Sequence, residues 1–201
     1  MFMKLLYSPA SPYAAKVRMA ARQAGIDLKT EAVNTGDNPP ELLTNNPLGK
    51  IPTLLREGEA PIYDSVAIMH YLDRLSGGLL YPKKDPKRAD AEVLEALCDG
   101  IMDSLLAIMN ERRSRPEDRV HQPWIDKQWD KASRGLDHLN GHLPKMGKKL
   151  HGGHFALAGL LSYLDLRFDD RNWRQGRDQL GSWPEAFLKR FPDYDALKAR
   201  A

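Results

Sequence analysis

Cys98 is the only thiol in 201 residues. No intrachain disulfide can form, and a Cys/His zinc box is excluded. Such sparing cysteine use fits a reducing compartment. Nothing in the chain approaches the ~20 consecutive apolar residues of a membrane span. The apolar run at the amino end stops at the Pro-rich Ser8–Pro12 stretch, too early for a signal peptide,. An excess of one charge is missing too. Thirty basic residues against 27 acidic ones leave a formal net charge of +3, spread along the chain, which is no nucleic-acid signature. The densest basic stretch, Glu111 to Arg119, alternates with acids and reads as a solvated helix end,. There is no internal repeat and no low-complexity tract. A cytoplasmic protein with no membrane and no nucleic-acid partner is expected.

What is present is ordinary for a globular chain: 42% apolar and 28% charged residues,, enough for one large domain or two small ones. "MKLLYS" has a strand pattern, and Tyr13 to Ala24 has helical periodicity that Gly25 terminates. "LKTEAVN" reads as a second strand and "TGDNPPELLTNNPLGK" as a turn-rich loop. "IPTLLREGEAPIYDS" reads as two strands joined by a tight turn at Glu57-Gly58-Glu59. A helix capped by Asp64-Ser65 follows. Residues 1–76 thus form a small mixed α/β unit, and 77–86, dense in Gly, Pro and Lys, form a linker. From 87 to 201 only helical patterns remain. The first is expected to open at Asp85-Pro86, with Asp85 as cap and Pro86 as first helical residue. Its apolar set is Val93, Leu94, Leu97, Ile101, Met102, Leu105, Ile108 and Met109. Further helices are expected near residues 124–139, 155–168 and 183–191.

Three short motifs carry chemistry. "SPYA", Ser11–Ala14, alone is a helix cap followed by proline at the first helical position. "NPLGKIPTL", Asn46–Leu54, alone is a Pro-bearing edge strand. "YDSVAIMHYL", Tyr63–Leu72, alone is a capped helix start. In this order, ahead of an all-helical half, they resemble the cytosolic glutathione S-transferase family, in its bacterial type with a serine at the active position. The resemblance covers most of the chain. It implies a thioredoxin-like amino-terminal domain and an all-α carboxyl-terminal domain.

It also implies roles. Ser11 sits where the first strand feeds the first helix and is the catalytic residue, its hydroxyl holding the thiolate of glutathione at the positive helix end. Tyr7 and Ser8 are rival hydroxyls. Pro52 follows a cis peptide bond, and the backbone of Ile51 pairs with glutathione as a short strand would. Asp64 faces the α-ammonium of the γ-glutamyl end, and Ser65 holds its carboxylate. A free thiol with a pKa of about 8.5 is only ~3% thiolate at pH 7. Lowering that pKa by ~1.5–2 takes roughly 2–2.7 kcal/mol. One hydrogen bond to a charged group supplies about 1.5–3 kcal/mol, and a helix terminus about 0.3–1.

Glutathione as co-substrate, a small hydrophobic electrophile, no metal and a homodimer complete the implied picture. Met102, Leu105, Leu106 and Met109 are candidates for an apolar electrophile wall, with ordinary core as the alternative. Asp99 and Asp103 are either solvated acids or groups reaching a partner's glutathione. "HGGH", His151–His154, reads as a loop rather than a metal site. One departure from the family stands out. The Ser/Thr-x-x-Asp box that opens its buried central helix is matched here to "ALAG", Ala156–Gly159, with neither capping side chain, as though that helix were shortened. A non-catalytic glutathione-binding or interaction module, and a glutathione-dependent disulfide reductase, remain as alternatives. The lack of a cysteine at position 11 speaks against the reductase.

Overall fold

A computed structural model describes residues 2–201. Strand β1 (Met3–Tyr7) buries three successive residues, Leu5, Leu6 and Tyr7, as a strand covered on both faces does. It lies inside a four-stranded sheet of order β2-β1-β3-β4. β2 (Lys29–Ala32) runs parallel to β1, whereas β3 (Thr53–Arg56) and β4 (Glu59–Ile62) are antiparallel neighbours. A parallel pair needs a crossover, and α1 (Pro12–Gln23) supplies it. The Ser11 side chain caps α1 by accepting the Ala14 N–H at 3.2 Å. Gly25, at φ +67°, lets the chain leave it,.

Between β2 and β3 the structure differs from the expected loop: Pro40–Asn45 form a short helix, α2. Pro40 stands at its first position, where fixed φ and a missing N–H cost nothing. Its one buried residue, Leu42, is too little to show as periodicity. Helix α3 (Ser65–Leu75) buries Ile68, Met69 and Leu72 and packs on α1.

The segment after α3 is held, not free. Leu80 and Tyr81 are buried, and their N–H groups donate to Asp73 Oδ1 at 2.8 and 3.1 Å. Helix α4 (Lys87–Ser114) opens one residue later than expected. Pro86 takes the cap position, and Asp85 caps nothing because the Lys84 carbonyl already accepts the Arg88 N–H. Cys98, Ile101, Met102, Leu105 and Ile108 face inward, while Val93, expected in that set, is 66% exposed.

Helices α5 (Gln122–Gly141), α6 (Gly152–Arg167), α7 (Asp178–Arg190) and α8 (Tyr194–Leu197) complete the chain. α6 is buried from Gly152 through Leu164, packed against α1 and α4, so it is apolar all round rather than amphipathic. It begins ahead of the expected Ala156–Gly159 stretch and is not uncapped. It opens at His151-Gly152-Gly153-His154, and the His151 N–H donates to His154 Nδ1 at 3.1 Å. The stretch read as a loop is therefore the helix start, and Ala156–Gly159 lie inside the helix. Among the described residues no helix is long and apolar enough to cross a membrane.

Candidate functional site

A cleft of about 400 Å³ opens between the sheet half and helices α4 and α6. Ser11, Ile51, Pro52, Asp64 and Ser65 all line it, and so does Ser8. Tyr7 does not. It is buried in β1, with the Arg18 guanidinium 4.9 Å above its ring.

The Ser11 turn is tightly determined. The Ser11 N–H donates to the Ser8 carbonyl at 3.0 Å, and Ser11 Oγ accepts from Ala14. One of its two acceptor lone pairs is thus in use, and the hydroxyl proton is left to donate,. Beneath the turn, α6 comes so close that a Cβ on Gly159 would lie 2.7 Å from the Pro12 carbonyl oxygen. From another side the Arg200 N–H donates to the Pro9 carbonyl at 3.0 Å. Both contacts hold backbone against backbone, so the start of α1 has little room to move.

Opposite lies Ile51, joined to Pro52 by a cis bond. Neither its N–H nor its C=O is hydrogen-bonded among the described residues, which leaves an open edge for an extended peptide. Asn46, 2% exposed, shapes this loop. Its Nδ2 donates to the Lys50 carbonyl at 2.8 Å and to Thr53 Oγ1 at 3.1 Å, and its Oδ1 accepts the Leu48 N–H at 3.0 Å. At the third corner, buried Ser65 is the first residue of α3. Asp64 Oδ1 accepts the Val66 N–H at 2.9 Å, and its second oxygen stays open. Two helix N-termini therefore point at one cleft, each favouring an anion, with a free carboxylate oxygen beside the second. That set suits an extended peptide with an anionic group at the start of α1 and a zwitterionic amino-acid group at the start of α3.

On the far wall, ordinary core is the reading that holds for three of the four candidate apolar residues. Met102 and Leu105 are core residues, Met109 packs against the core, and only Leu106 of the four lines the cleft. Its neighbours there are Asp103, Asn110 and Arg113 from α4 and Tyr163 and Arg167 from α6. Asp103 accepts the Tyr13 hydroxyl; burial and this bond push the Tyr13 phenol well above its ordinary pKa. Asp103 stays exposed, in keeping with a solvated acid, whereas Asp99 does not. It holds Lys16 Nζ at 2.7 Å away from the cleft, and burial raises its pKa to about 6 against the pull of Lys16. Among the described residues no group of three or more His, Cys, Asp or Glu is arranged to hold a metal ion.

Asn46 and the polar far wall were missed from sequence. Asn46 opens the quoted loop motif, and the wall's spacing on α4 (103, 106, 110, 113) is a helical stripe, but one that shows no partner until α6 is placed beside it.

Known proteins share this architecture. Residues 5–79 match the family model for the glutathione S-transferase N-terminal domain, and residues 122–186 match that for the C-terminal domain. The chain is 29% identical over 194 residues to the Uncharacterized GST-like protein YibF of Escherichia coli K12, covering 94% of this chain and 95% of that one. A glutathione S-transferase structure from Methylobacillus flagellatus KT with glutathione bound superposes with a TM-score of 0.88 at 33% identity, covering 99% and 100%. A glutathione transferase family member from Pseudomonas fluorescens Pf-5, with bound S-(propanoic acid)-glutathione, gives 0.87 at 31% identity, covering all of both chains.

Proposed function

Because the chain belongs to the glutathione S-transferase family, we propose that it is a glutathione transferase with Ser11 as its thiolate-stabilising residue. One observation carries the assignment to Ser11: it lines the cleft at the start of α1, its Oγ accepting from Ala14 while its proton donates to no other described residue. The thiol proton leaves to solvent, and the Ser11 O–H donates to the sulfur. The thiolate then forms a C–S bond with the electrophile while the leaving group departs with its electron pair. The open backbone of Ile51 pairs with the cysteinyl residue, Ser65 and the α3 N-terminus take the γ-glutamyl carboxylate, and Asp64 takes the ammonium. The working form is a cytoplasmic homodimer and needs no metal.

Turnover of glutathione with a small alkyl halide tests this reading. Ser11→Ala should lower kcat/KM about 10- to 100-fold near neutral pH, the worth of one hydrogen bond to a charge, and Ser8→Ala much less. Equal losses in both variants would move the role to Ser8 or the backbone. Glutathione binding without turnover would make the protein a binding module.

A further inference from the structure

A glutathione site in this cleft leaves the electrophile open. On the basis of that reading of the site, we infer that the far end of the cleft takes small electrophiles carrying a carboxylate, held between Arg113 and Arg167. On α4, Asp103, Leu106, Asn110 and Arg113 fall at spacings of three, four and three, which is one helix face. All four line the cleft. Tyr163 and Arg167, one turn apart on α6, face the same space.

The chemistry of this wall is that of a donor set. Neither Arg113 nor Arg167 makes an ion pair or a hydrogen bond among the described residues, and Arg167 Nε is buried with no acceptor. With no protein acceptor among the described residues, this donor is available to an acceptor that enters the cleft. The Tyr163 ring is 4% exposed. Burial raises its pKa and both guanidiniums pull it back, so the two cations act on one spot. The acid on this wall, Asp103, is already engaged by Tyr13. Both arginines stand at the carboxyl ends of their helices, where a cation suits the helix dipole. That accounts for their sign. It does not account for a buried guanidinium nitrogen left without a partner beside a cleft. A carboxylate supplies the acceptor, since its two oxygens match the guanidinium fork.

With such a substrate the reaction balances simply. For a 2-haloacid, the sulfur bonds to the carbon bearing the halogen and halide leaves with the bonding pair. For an α,β-unsaturated acid, the sulfur adds to the β-carbon and a proton from water ends on the α-carbon. In both, the carboxylate stays unchanged and orients the carbon.

Calorimetry with glutathione, S-carboxymethylglutathione and S-carbamoylmethylglutathione tests the inference, the last two being near-isosteric and differing by one charge at pH 7. The carboxymethyl compound should bind at least about tenfold more tightly than the carbamoylmethyl one, with the preference shrinking as salt is raised. Arg113→Gln and Arg167→Gln should each cut the preference, and the double variant should bring it within about twofold of unity; Arg167→Lys, which keeps charge but not the fork, should fall between. Equal affinities in the wild type would overturn the proposal, as would a preference that survives the double variant. Failure of glutathione itself to bind would instead overturn the reading beneath it.

Discussion

Two histidines open the central helix from inside the protein, and their protonation is tied to folding. His154 Nδ1 accepts the His151 N–H, with the ring centroids 3.8 Å apart. Burial, reinforced by His151 alongside, lowers the His154 pKa to about 3, and burial lowers that of His151 too. The unfolded chain, with an ordinary histidine pKa near 6.5, therefore binds more protons than the folded one. The stability this neutral pair supports is complete above that value and drains away as pH falls toward the folded value. For His154 alone the loss between pH 7 and 5 is about 2 kcal/mol. Replacing it by glutamine should lower stability at pH 7 yet flatten the fall to pH 5 by about that amount, read from urea unfolding at the two pH values. Parallel pH profiles for wild type and His154→Gln would contradict this. Ser11 is a residue of the opposite kind: in sequence it is only a cap, and the second use proposed for it rests on the groups gathered around its hydroxyl.

At the scale of elements, the packing of α1 against α6 governs the site. Gly159 on α6 lets the two backbones approach, its missing side chain facing the Pro12 carbonyl and the Lys16 N–H of α1. Alanine at 159 would gain up to about 1 kcal/mol in helix propensity, but its methyl group has only the Pro12 carbonyl to push against. Overpacking of this kind costs about 1–3 kcal/mol. Gly159→Ala should therefore weaken glutathione binding by shifting the Ser11 turn, with stability unchanged or reduced; a dissociation constant equal to wild type would show that the turn tolerates the push. The same element shows where sequence reading works. β1, α1, the β3–β4 turn and α3 were legible because alternation, periodicity and Gly, Pro or Asp at the ends agree. The start of α6 was not, because two glycines flanked by histidines look like a loop when the burial that holds them is invisible. Along α4, apolar spacing located the buried face, but the face toward the cleft is polar and gains meaning only from Tyr163 and Arg167 across from it.

Over the whole molecule, one buried ion cluster bridges the two halves. Lys16 on α1 is fully buried, with Nζ 3.0 Å from Glu95 and 2.7 Å from Asp99 on α4, and Glu95 also accepts the Tyr81 hydroxyl. Burial alone would lower the lysine pKa; the two carboxylates outweigh it and raise it. Removing one partner of a buried pair typically costs about 3–5 kcal/mol. Lys16→Met should lose that much stability near pH 8 and less near pH 5, where the orphaned carboxylates take up protons, as urea unfolding at both pH values will read; a deficit independent of pH would mean that the acids find other partners. With the halves locked in this way the cleft between them is preformed, and the central claim proposed for it is a thiolate held at Ser11. That claim is tested most directly by the ultraviolet thiolate absorbance of protein-bound glutathione, followed against pH in the wild type and in Ser11→Ala. The account expects a thiolate band persisting well below pH 8 in the wild type and lost in the variant. A band of equal strength in both proteins, or none in a wild type that binds glutathione, would contradict it.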